Sequence, residues 1–166
     1  MTRWLYLLLG PLPLAAHMVS LSTGEIRVEG QRGDYELRMP LYEVAHVKDP
    51  QRRLLESIRF SSAGAEAKLA ERSCREDRVD GAYICNAVYR FSAPVENLEV
   101  ECRFHFVTVP NHVHLLRAVS GEKRDQAVLD FTFPRAELRF NPPGALDVAV
   151  TQIGAGIFRA AGGAAQ

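Results

Sequence analysis

The chain has no excess of charge of either sign: 20 Lys and Arg balance 20 Asp and Glu. Acids and bases are interspersed, so no basic face is offered to a nucleic acid, and no such partner is expected. Long apolar runs are missing after the N-terminal segment, which excludes a transmembrane helix in the remainder of the chain. There is no internal repeat. Strands do not alternate with helices, which disfavours a parallel α/β fold. Catalytic signatures are missing too. There is no Gly-x-Ser-x-Gly and no His-Glu-x-x-His. The Gly-x-Gly at Gly154 to Gly156 follows no convincing phosphate-binding strand. No enzyme is expected, and no catalytic or cofactor-binding residue is assigned. Cysteine is scarce, with three residues whose spacing matches no zinc motif.

The N-terminus is the most informative stretch present. Arg3 gives a positive start, and Trp4 to Leu14 is an apolar run interrupted by Pro11 and Pro13. Ala15 and Ala16 offer small residues to a signal peptidase. This is the layout of a secretory signal peptide over residues 1–16, too short to span a bilayer comfortably. A cut after Ala16 makes His17 the first residue of the mature chain. No Cys sits at the cut, which argues against a lipid anchor. A periplasmic or secreted domain over 17–152 is expected, followed by a flexible tail over 153–166 that is rich in Gly and Ala.

The mature chain reads mostly as β. Glu25 to Glu29 alternates, Gly30 to Gly33 is turn chemistry, and Tyr35, Leu37 and Met39 share a face. A short helical insert is expected from Leu41 to Arg59. Within it Asp49 caps and Pro50 suits the first helical position. Asp80-Gly81 marks a tight turn, and Tyr83, Cys85, Ala87, Tyr89 and Phe91 face one way after it. Leu98, Val100, Cys102, Phe104 and Phe106 alternate with Glu99, Glu101, Arg103 and His105, the pattern of a half-buried strand. Ala127, Leu129, Phe131 and Phe133 form another strand, and Val148 and Val150 close the sheet. Many short strands with turn signals between them predict an antiparallel, Ig-like β-sandwich with a short helical insert. Its core is expected from Leu37, Tyr89, Leu98, Val100, Phe104, Phe106, Leu129 and Phe131.

Three cysteines in an exported chain predict one disulfide and one thiol. Cys74 and Cys85 flank the Asp80-Gly81 turn. Cys85 and Cys102 come into register if Ser92 to Val95 is a hairpin loop. A free Cys102 packs as a small hydrophobe, whereas a free Cys74 in its charged stretch would be reactive, so Cys74–Cys85 is the preferred pair.

Histidine supplies the candidate metal ligands. At the mature N-terminus, the amine and imidazole of His17 can chelate copper or nickel together. His112 and His114 lie one residue apart, so on a strand they share a face, with His105 as a neighbour. The plainer accounts are a solvent-exposed terminal residue for His17 and a polar strand end at a sheet edge for the pair.

The order of these features resembles the exported N-terminal domain of HupE/UreJ-like membrane proteins. It runs from a leader ending Ala-His, through a hairpin into Met39-Pro40-Leu41, to the Leu-x-Val-x-Cys-x-Phe-x-Phe strand. Pro110-Asn111-His112, Leu115 to Val119 and Ile153-Gly154 follow. The resemblance implies an envelope location, an association with nickel and related metals, and an envelope protein partner. The Gly-x-x-His-Ile entry to that family's membrane region is missing here, so transport by this polypeptide is not implied. The expected role is a non-enzymatic exported binding or interaction domain, with a periplasmic copper- or nickel-binding domain as the alternative.

Overall fold

The computed structural model describes residues 20–140. The expected leader, His17, Val148, Val150 and the expected tail lie outside the described residues.

Strands β1 (Leu21–Glu29) and β2 (Arg32–Pro40) form the expected N-terminal hairpin. Gly30 turns it with φ +57°, a conformation that costs glycine little. Helices α1 (Leu41–Val44) and α2 (Pro50–Glu56) follow. The insert is shorter than expected, because Ile58 and Arg59 already belong to β3 (Ile58–Ser62). Asp49 occupies the position before α2, but its side chain makes no capping hydrogen bond and instead pairs with Arg52 at 2.9 Å.

The remaining strands are β4 (Ala65–Glu66), β5 (Lys68–Asp77), β6 (Ala82–Arg90), β7 (Leu98–Cys102), β8 (Val113–Ser120), β9 (Lys123–Leu129) and β10 (Arg135–Leu138). They form two sheets, ordered β5-β6-β2-β1-β8-β9 and β10-β7-β3-β4. The architecture is sandwich-like and mostly antiparallel. One pairing departs from the antiparallel expectation: β1 and β8 run parallel, with Ser22 beside His114 and Ile26 beside Ala118. Aromatic rings join the layers. Phe60 of the smaller sheet meets Tyr35 and Tyr89 of the larger one edge-on, at centroid distances of 5.1 and 4.9 Å. Such edge contacts add to the burial of the rings themselves.

Leu37, Tyr89, Leu98, Val100, Phe104 and Leu129 are buried as expected, and Glu99 and Arg103 face solvent. Phe106 and Phe131 are not in the core. Their exposures are 74% and 65%, and that of Phe133 is 68%. The reason is local. Strand β7 stops at Cys102, and Phe104–Phe106 forms a 3-10 turn. A two-residue step keeps a side chain on its face in a strand, but rotates it by about 240° at three residues per turn. Phe104 therefore stays inside and Phe106 swings out. Strand β9 stops at Leu129 because the Asp130 carboxylate takes the N–H groups of Thr132 and Phe133, both at 2.7 Å. Such local bonding replaces a strand ladder with a turn.

Cys74 and Cys85 are directly opposed on β5 and β6 and form a disulfide. Cys102 is a buried free thiol, its pKa pushed up to about 12 by burial, so it is unreactive packing. Cys85→Ser is expected to cost about 2–4 kcal/mol in a denaturant melt. Unreduced protein should show one titratable thiol after unfolding; three would contradict the bond.

Candidate functional site

The parallel pairing of β1 with β8 places two short period-2 patterns side by side. Ser20-x-Ser22 leads into β1, and His112-x-His114 leads into β8. The Val113 N–H donates to the Ser20 carbonyl at 2.8 Å, which fixes the register where the strands begin. All four side chains turn inward. His112 and His114 are 2% and 0% exposed, so neither is a polar residue at a sheet edge.

A continuous chain of polar contacts results. Ser20 Oγ meets His112 Nδ1 at 2.5 Å, and His112 Nε2 meets Ser22 Oγ at 2.7 Å. Ser22 Oγ also meets His114 Nδ1 at 2.8 Å, and His114 Nε2 meets the Tyr35 hydroxyl at 3.2 Å. Phe104 covers both imidazoles with its ring edge-on, at 5.7 and 5.0 Å. The structure thus brings His112 and His114 together, as their spacing predicts. His105 sits beside this cluster in the 3-10 turn, its ring tilted against that of Phe106 with centroids 4.2 Å apart.

Burial sets the charge of the pair. It lowers the pKa of His112 to about 4, helped by the neighbouring His105, and that of His114 to about 3, helped by His112. Both rings are neutral at pH 7, and each carries one N–H. Three proton placements satisfy all four contacts. Two of them leave the buried Tyr35 or Ser22 proton without an acceptor among these contacts. The third has Tyr35 donate to His114, His114 to Ser22, Ser22 to His112, and His112 through Nδ1 to Ser20. Only the Ser20 proton, at the outer end, is then left over. Ser20 is itself 2% exposed, so each placement leaves one buried hydroxyl proton without an acceptor among these contacts, and burial does not rank the three.

Glu43 of α1 stands at the outer end. It is buried, and its Oε2 has no hydrogen-bond partner. That oxygen is 3.9 Å from His112 Nδ1. Among the described residues, no group of three or more His, Cys, Asp or Glu is gathered to hold a metal. His17, the other assigned ligand, lies outside the described residues.

Gly24 makes room for the inner end. A Cβ there would lie 2.7–2.8 Å from Tyr35 Cε2, the Tyr35 hydroxyl and His114 Nε2. Those atoms belong to packed rings that cannot swing away cheaply. Gly24→Ala is therefore expected to destabilise by about 1–3 kcal/mol, the range for overpacking a core, and to separate Tyr35 from His114. Thermal melts and the tyrosine ultraviolet spectrum of the folded variant would check both effects; unchanged values would contradict the packing.

A second feature lies at this same end of the sandwich. The 3-10 turn carries Phe106, and the loop after β9 carries Phe131 and Phe133. The two are joined where the Cys102 N–H donates to the Pro134 carbonyl at 2.8 Å. Elsewhere, two open depressions lie over the outer faces of the sheets. One is lined by Arg27, Glu36 and Arg72, the other by Arg59, Glu99 and Glu101.

No family model and no curated protein matches this chain. Among the described residues, no helix is long and apolar enough to cross a membrane.

Sequence reasoning singled out His112 and His114 but missed Ser20, Ser22, Gly24, Tyr35 and Glu43. The available signal was the repeated two-residue step at 20/22 and 112/114. It becomes meaningful only once β1 and β8 are known to be neighbours.

Proposed function

We propose that this chain is an exported, non-enzymatic binding domain of the bacterial envelope. A protein partner docks on the end of the sandwich that carries Phe106, Phe131 and Phe133. The observation that supports this is the exposure of those three rings, each about two-thirds or more open to water, on adjoining loops. Monomers rarely leave clustered apolar side chains in water, and aromatic residues anchor protein interfaces. A protein suits this end better than an anionic lipid surface. Arg103 and Arg135, its flanking cations, both pair with Glu101, at 2.6 and 3.1 Å, whereas lipid binding draws on basic residues left free for the headgroups. The Cys74–Cys85 disulfide is consistent with a location outside the cytoplasm. The resemblance to HupE/UreJ-like exported domains agrees with that placement.

The test is site-specific photocrosslinking in intact cells. A benzoylphenylalanine at position 106, 131 or 133 is expected to give one discrete protein adduct, and the same group at exposed Lys123 none. Adducts to phospholipid, or equal labelling at Lys123, would overturn the reading. Because the rings pack little, Phe106→Ser and Phe133→Ser should each shift stability by less than about 0.5 kcal/mol.

A further inference from the structure

We infer that the docking surface turns the corner from the aromatic end onto the outer face of β1, β8 and β9, and that its occupant is an acidic, apolar segment of the partner protein. This rests on the docking reading above and adds to it the chemistry of the partner.

Strand β8 is apolar on both sides. Leu116 and Ala118 point into the core, while Val113, Leu115 and Val119 point outward and are half-buried. A strand with one solvated face alternates apolar with polar residues. Apolar side chains on both faces are the pattern of a strand covered twice. The register gathers the outward residues into a patch. Leu21 of β1 lies beside Val113, and Leu115 lies directly opposite Val128 of β9, which is 54% exposed. Val128 stands three residues before Phe131, so this half of the face runs on into the aromatic end.

The other half of the face is cationic. Arg27 lies beside Val119, Val119 lies opposite Arg124, and Arg117 lies between these residues and the apolar patch. Arg27 and Arg117 share one carboxylate, Glu25, at 2.7 and 3.6 Å. On the next strand Asp34 and Glu36 are already held by Arg32 and Arg38, at 2.6 and 2.9 Å. Exposed Arg124 has no ion-pair partner among the described residues. An occupant with apolar side chains over Leu115 and Val128 complements both halves if its carboxylates reach Arg124, about 13 Å back along β9. A protein segment can follow both the end and the face. A bilayer is planar and meets one of them, so the free arginine does not turn the choice towards anionic lipid.

The experiment extends the photocrosslinking in intact cells to position 128. Lys123 remains the control, because it lies opposite Ser120 and so faces away from the side that carries Arg124. Benzoylphenylalanine at 128 is expected to give the same adduct as at 106, and mass spectrometry to find a partner peptide of net negative charge. Arg124→Glu is expected to cut the yield at 128 by about tenfold or more, and Arg124→Lys by less than about twofold. Adducts at the rings but not at 128, equal yield in Arg124→Glu, or a basic or neutral partner peptide would overturn the inference and leave the docking reading standing. An adduct to a second copy of this chain, or to phospholipid, would overturn it as well. No adduct at any of the three rings defeats the docking reading and this inference with it.

Discussion

Phe104→Ala is expected to lower stability by about 3–5 kcal/mol, while Phe106→Ala changes it by less than about 0.5 kcal/mol. The two rings are two residues apart in one short turn, yet one is 1% and the other 74% exposed. Losing Phe104 opens a cavity over His112 and His114, whose hydrogen-bonded chain it shields from water. The cost therefore combines lost burial with wetting of a polar network that depends on being dry. Urea melts of the two variants, with unchanged slopes, would measure the difference. Similar midpoints would mean that the turn is misplaced and that a continuous strand runs through it.

Acid is expected to destabilise the protein well before its carboxylates titrate. His112 and His114 have folded-state pKa values of about 4 and about 3, against an ordinary 6.5. As pH falls below 6.5 the unfolded chain takes up protons that the folded chain refuses, so stability drops. Above 6.5 both states are neutral and the two residues contribute no slope. Each pH unit costs about 1.4 kcal/mol per histidine, so the pair removes on the order of 3–5 kcal/mol between pH 6.5 and 4.5. The carboxylates held low by arginine, Asp34 and Glu101 among them, add their own loss only at lower pH. Urea midpoints at pH 7.5, 6.5, 5.5 and 4.5 would resolve the window. A flat profile across it would show that the imidazoles are not buried as neutral rings.

Legibility in the sequence followed the range of the interactions. The first hairpin, the Asp80-Gly81 turn and the alternation through β6 and β7 are local patterns, and each produced the element it predicts. The cross-strand disulfide followed from one turn and the chemistry of a free thiol. Failure came where a side chain ended a strand. The Asp130 carboxylate stops β9, and the 3-10 turn stops the alternation begun by Leu98, so Phe106 and Phe131 kept the expected sequence pattern but not the expected face. The site was half legible. A two-residue spacing predicts that His112 and His114 share a face. Nothing local says that Ser20 and Ser22 arrive beside them from 92 and 90 residues away, or that Glu43 ends at the same point. Those neighbours depend on a parallel pairing that no short pattern announces.

That same pairing sets a timetable for folding. Strand β1 sits inside the larger sheet, yet its second neighbour, β8, is synthesised some ninety residues later. The β1–β2 hairpin and its extension by β6 can form early, but the layer stays open along one side of β1 until almost the whole domain has emerged. Closing so long a loop carries an entropic cost before any contact repays it, and high contact order of this kind slows folding to the range of about milliseconds to seconds. Until then Ser20, Ser22 and Gly24 remain in water, and the edge of β1 that β8 will cover stays unpaired.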